Sequence, residues 1–207
     1  MKGFITSLLL WTICFTAQAT PQNMDFSQVK DEAPEHWIIG GSDPGNISDN
    51  HPTGSGQSLR LSRTSATTNN FAFAAQVMPI DYDGKELTLS GWIKTDQVAA
   101  GDGAGFWLKL DNGQTTVVYA NMAEKRLTGT KDWQEYKLSV SLTQTAVNLT
   151  FGGLLEGTGQ VNFADLKLHL DGVQIAEAKP RYFEAAQPHQ FEQDSGIRLT
   201  TLSPREH

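Results

Sequence analysis

The sequence predicts an all-β jelly-roll β-sandwich of eight or nine antiparallel strands, on three observations. Apolar and polar residues alternate with period two in most of the hydrophobic stretches. Turn-forming Gly, Asn, Asp and Ser separate those stretches at short, regular intervals, in a chain with 19 glycines. No stretch between them carries the 3.6-residue period of an amphipathic helix, and no fixed internal repeat is visible.

Taken in order, Thr20–Pro34 is polar and reads as a leading segment or an edge strand. His36–Gly41 is a short apolar strand closed by two glycines, and 42–56 has loop composition. In 57–63, Leu59 and Leu61 face one side while Ser58, Arg60 and Ser62 face the other. Residues 71–77 read as a more buried strand, ended by Pro79. In 87–94, Leu87, Leu89 and Ile93 oppose Thr88, Ser90 and Trp92. After the glycine-rich loop 98–105, Phe106, Leu108 and Leu110 point inward, with Trp107 and Lys109 opposite. Asp111-Asn-Gly113 is a hairpin turn, and 115–120 is its return strand. Residues 133–142, 147–151 and 161–170 complete the set. The change of composition after Asp171 divides the chain into a signal segment (1–19), a sandwich module (20–171) and a linker (172–207).

Composition narrows the function classes. The formal net charge is −7, and no Lys/Arg-rich run exists, so nucleic acid is not an expected partner. Lys2, the apolar run Phe4–Phe15 and the A-x-A site Ala17-Gln-Ala19 before Thr20 form a secretory signal, cleaved between Ala19 and Thr20. The mature protein is then periplasmic or extracellular, with no membrane span, because the run is too short to cross a bilayer. Cys14 is the single cysteine, and it lies inside that signal. Bulky Ile13 argues against its acylation. The mature chain has no disulfide, thiolate metal site or cysteine nucleophile.

The residues bear on three kinds of site: catalytic, metal and ligand-binding. A serine elbow needs Gly-x-Ser-x-Gly, which neither the Gly40–Pro44 nor the Thr53–Gly56 stretch supplies. The acids sit at predicted turns, where carboxylates are solvated, so no catalytic residue is expected. The five histidines form no close pair, so zinc is not expected. No cofactor is required, although Asp43, Asp49 and Asp165 offer oxygen-rich positions that suit calcium. Trp92 and Trp107 share the face opposite their aliphatic neighbours, with Tyr119 and Asn121 nearby in sequence. These four are the candidate ligand-binding residues, for a carbohydrate or a peptide. The alternative is that the tryptophans are core residues.

Five stretches carry a family resemblance: Leu89–Thr95, Gly105–Leu110, Asn121–Met122, Gly129–Tyr136 and Phe151–Gly157. With them, residues from about Asn23 to Asp171 resemble the galactose-binding-like jelly-roll domain that precedes the catalytic part of bacterial C-terminal-processing (tricorn-type) serine peptidases. The segment Asp194–Pro204 is similar to the lead-in to that peptidase part, and Ser203-Pro-Arg-Glu206 reads as a helix start at which the chain stops. The pattern departs from the family at Val161–Asp165, where Asn162 and Ala164 replace an aromatic residue and an aspartate. The resemblance implies a non-catalytic accessory module, cut before a peptidase domain that would follow residue 207. The alternative is a free-standing carbohydrate-binding protein of the periplasm or cell surface.

Overall fold

A computed structural model describes residues 20–41, 45–64, 71–80, 82–100 and 103–175. The predicted signal segment, including Ala19, and the chain beyond Ile175, with the predicted helix start, lie outside the described residues. The strands are β1 (Val29–Lys30), β2 (Ala33–Pro34), β3 (Ile38–Gly41), β4 (Asn46–Ser48), β5 (Ser58–Arg63), β6 (Phe71–Pro79) and β7 (Glu86–Val98). They continue with β8 (Gly103–Asp111), β9 (Thr116–Asn121), β10 (Gly129–Ser141), β11 (Asn148–Glu156), β12 (Gly159–Leu170) and β13 (Val173–Gln174). A single 3₁₀ turn at Ala123–Lys125 is the only helical element named among the described residues.

Every strand pair is antiparallel. One sheet runs β3-β6-β11-β8-β9. The other runs β10-β7-β12-β5-β4, with β13 beside β12, and β1-β2 form a small ribbon. The architecture is a jelly-roll sandwich. It has more strands than the alternation predicts because β1, β2, β4 and β13 are two or three residues long in polar segments, where period two cannot be seen.

The core lies between the sheets. Leu59, Leu61, Leu89, Ile93, Phe163 and Leu168 of the six-stranded sheet meet Phe106, Leu108, Leu110, Leu149, Phe151 and Leu155 of the five-stranded sheet. Each such side chain contributes about 1.5–3 kcal/mol by leaving water. The leading segment is part of this core rather than an edge. Phe26 is fully buried, with its ring 5.1 Å from Trp37, which in turn sits 6.0 Å from Phe151. Trp37 Nε1 donates to the carbonyl of Asn23 at 3.0 Å. Asn23 is itself buried and satisfied, its Nδ2 donating to the carbonyls of Gln28 and Glu35 and its Oδ1 accepting from the Gln28 N–H. Gln76, inward-facing on β6, pairs with the backbone of Gln22 in both directions.

β6 is a largely buried strand, as expected, but its largest side chains are not the buried ones. Its alanines, Ala72 and Ala74, point into the core, while Phe71 and Val77 are 43% and 57% exposed. The same inward face carries buried Gln76 and Met78, so the inward phase of this strand is its even-numbered residues.

Central strand β11 carries Gly152 and Gly153 in adjacent positions between β6 and β8. A Cβ on Gly153 would lie 2.5 Å from the ring of Phe163, and one on Gly152 only 1.9 Å from the carbonyl oxygen of Ala74. Backbone cannot yield as a side-chain tip can. Gly152→Ala is therefore expected to destabilise the fold by about 1–3 kcal/mol in urea unfolding. Val77→Ala, at an exposed position, should stay within about 0.5 kcal/mol of wild type; equal stability of the two variants would contradict this packing.

Candidate functional site

The outer face of the five-stranded sheet is where the aromatic side chains gather. Strand register dictates this. Phe71 pairs with Glu156, Phe73 with Leu154, and Trp107 with both Gly152 and Asn121, while Tyr119 pairs with Lys109. With period-two alternation, all of these side chains leave the sheet on the side away from the core. They form a continuous row. Phe71 and Phe73 have ring centroids 6.0 Å apart, Phe73 and Trp107 6.4 Å, and Trp107 and Tyr119 6.4 Å. The row crosses the sheet diagonally from β6 to edge strand β9.

Phe71, Phe73, Trp107, Tyr119, Leu154 and Glu156 line a surface groove of about 330 Å³. Gly40 makes room for one of its rings, since a Cβ there would meet the Phe73 ring at 2.5 Å. The terminal rings are the open ones, with Tyr119 56% and Phe71 43% exposed. The Trp107 indole Nε1–H is buried without a hydrogen-bond partner among the described residues.

Polar groups stand at the margins of the row. At one end Glu156 pairs with Arg126. At the other Lys109 lies 3.6 Å from Asp111. Asn121 Oδ1 accepts the Ala123 N–H at 3.0 Å, which starts the 3₁₀ turn after β9. The Asp111 carboxyl is held below the usual carboxylate range, first by the Asn148 side-chain amide at 2.9 Å, then by the Gly113 N–H and the Lys109 charge.

Of the residues predicted from sequence, Trp107, Tyr119 and Asn121 come together here. Trp92 does not. The chain crosses from one sheet to the other between β7 and β8, so Trp92 leaves the outer face of the six-stranded sheet, paired with Ala164 and Glu135. There the loop between β4 and β5 is tied to β12 by His51 Nε2 and Asp165 Oδ2 at 3.3 Å. It is tied to β10 by Trp133 Nε1 donating to Asn50 Oδ1 at 3.2 Å. The strand between those two anchors is the one that carries Trp92, which is half-buried. Asp165 thus has a histidine partner, at a bulge of β12 with φ 48°. Asp49 is exposed, Asp43 lies outside the described residues, and Thr20 is the first residue described. Among the described residues no group of three or more His, Cys, Asp or Glu side chains is placed to hold a metal ion.

Sequence reading missed Phe71, Phe73, Leu154, Glu156 and Arg126. The available signal was the spacing Phe71-Ala-Phe73, which puts two large rings on one face and alanines on the other.

No protein-family model matches the chain. It is 30% identical over 132 residues to an uncharacterized HTH-type transcriptional regulator, YbfP, of Bacillus subtilis (strain 168), a match covering 60% of this chain and 44% of the regulator. The chain thus spans less than half the length of that relative. Among solved structures, it is similar to the enzymatically active domain of tailspike protein 4 of bacteriophage CBA120. That match has a TM-score of 0.56 and 16% identity over 73% of this chain and 21% of the tailspike. It is also similar to a cyclase from Fischerella sp. TAU (TM-score 0.53, 12% identity, 76% and 99% of the two chains). A third is an arabinose-bound α-L-arabinofuranosidase (0.52, 16%, 73% and 26%). At these identities the likeness is one of fold.

The Asp111–Asn148 contact gives a pH test. A carboxyl whose folded pKa is depressed stabilises the fold above its unfolded value of about 3.9, and loses that contribution as pH falls through the folded value. Asn148→Ala should therefore be less stable than wild type at neutral pH. The difference, measured by urea unfolding, should shrink below about pH 4; a pH-independent difference would contradict it.

Proposed function

We propose that this chain is a carbohydrate-binding module without catalysis of its own. The observation that carries the reading is the four-ring row in an open groove on the outer sheet face. A pyranose ring presents C–H groups on its face and hydroxyls at its edge. The C–H face suits the electron-rich face of an aromatic ring, which also gains by covering its apolar area. The hydroxyl edge then meets the polar margin supplied by Asn121, Arg126, Glu156 and Lys109. Few convergent polar groups around a mainly apolar surface is the usual make-up of a small-molecule site. The fold match to part of an arabinose-bound enzyme is consistent with such a ligand, at the level of fold. Matches that cover 44% of a regulator and 21% of a tailspike support a module that serves different larger chains. Export through the segment 1–19 would place the groove in the periplasm or outside the cell.

A second reading makes the same module the front end of an exported serine peptidase. It rests on the resemblance carried by stretches of β7, β8, β10 and β11. The groove would then hold a glycan or peptide segment of the substrate. Coding sequence beyond His207 that continues into a peptidase domain would support it, and a stop codon there would count against it.

The first reading is tested by titrating the intact chain with a panel of soluble oligosaccharides and following tryptophan fluorescence. Stacking on a ring is worth roughly 1–3 kcal/mol by analogy with nucleobases. Trp107→Ala should therefore weaken binding by about tenfold or more with an unchanged far-UV circular dichroism spectrum. No response of the wild type to any glycan would overturn the proposal.

A further inference from the structure

We infer that the groove, if it is the carbohydrate site proposed above, takes an internal stretch of a neutral, helically twisted glycan rather than the flat face of a crystalline one. The ring planes carry this. Phe71 and Phe73 lie 32° apart and Trp107 and Tyr119 37° apart, but Phe73 and Trp107 meet at 88°. No single plane contains the row; it turns a corner in the middle, between Phe73 and Trp107. A flat ribbon, whose successive sugar rings are coplanar, stacks on one side of that corner only. A twisted chain turns each sugar relative to the last and reaches rings on both sides.

The position of the rings sets how the chain lies. The open rings, Phe71 and Tyr119, stand at the two ends, and the half-buried rings lie between them. The row also ends at edge strand β9 rather than at a wall. A polymer can enter and leave, so binding strengthens with the number of sugars until the row is filled.

Charge complementarity sets the ligand's charge. The acid of the groove, Glu156, is matched by Arg126, and the nearby Lys109 by Asp111. Among the described residues the lining therefore offers no unmatched charge to a uronate or to a charged peptide, and such ligands would give up their hydration for nothing in return.

The test uses the intact chain with xylohexaose and laminarihexaose in solution, microcrystalline cellulose as the flat surface, and polygalacturonate as the charged polymer. The expected result is binding to at least one soluble hexasaccharide. That binding should be about tenfold weaker in Trp107→Ala and in Tyr119→Ala, with depletion on cellulose no greater than on an inert resin. Tyr119 is exposed, so its variant keeps the test valid if Trp107→Ala fails to fold. Depletion on cellulose, or tighter binding of polygalacturonate than of the neutral oligosaccharides, would overturn this inference while leaving the carbohydrate-binding reading standing. No binding to any of the four would overturn this inference, and the carbohydrate-binding reading falls with it only if the wider oligosaccharide panel also gives no response.

Discussion

Gly152 and Gly153, side by side at the centre of β11, are the constraint on which the rest of the structure depends. The inward position of Gly153 admits the Phe163 ring from the facing sheet, and that ring lies 5.8 Å from Phe106 at the middle of the core. At Gly152 the β6 backbone comes so close that a Cβ would lie 1.9 Å from the Ala74 carbonyl oxygen. One dipeptide thus lets the two sheets approach and lets β6 and β11 pair closely. The ladders on both sides of β11 hold it in register over nine residue pairs each, which fixes where Trp107 stands relative to Phe73.

The two outer faces have been put to different uses. On the six-stranded sheet, the loop between β4 and β5 is anchored through His51–Asp165 and Asn50–Trp133, across the strand that carries Trp92. On the five-stranded sheet the outer face keeps four aromatic rings in a row, two of them open to water. Apolar area left in water costs free energy that the fold could have recovered by burying it. A ligand that covered the rings would recover it.

Much of the fold was legible in the sequence, because period two is a direct consequence of strand geometry. The inward set Leu59, Leu61, Phe106, Leu108 and Leu110 is buried as the alternation dictates. What alternation cannot carry is which sheet a strand joins. Trp92 and Trp107 have the same phase relative to their aliphatic neighbours, yet a crossover between β7 and β8 puts them on opposite sides of the molecule. Nor can it carry volume. The inward face of β6 carries Ala72 and Ala74, while the larger rings of Phe71 and Phe73 stand on the outer one. The site was thus half visible: Trp107, Tyr119 and Asn121 from their own strands, but not the rings that β6 adds to them.

The most direct measurement is chemical-shift mapping of the intact chain by NMR with a soluble oligosaccharide, following aromatic resonances and the tryptophan indole N–H groups. A ligand on the four-ring row predicts shifts at Phe71, Phe73 and Tyr119, and at Trp107 Nε1–H, which has no hydrogen-bond partner among the described residues to mask a new one. Shifts confined to Trp92 and Trp133 on the other sheet, or none at saturating ligand, would contradict it.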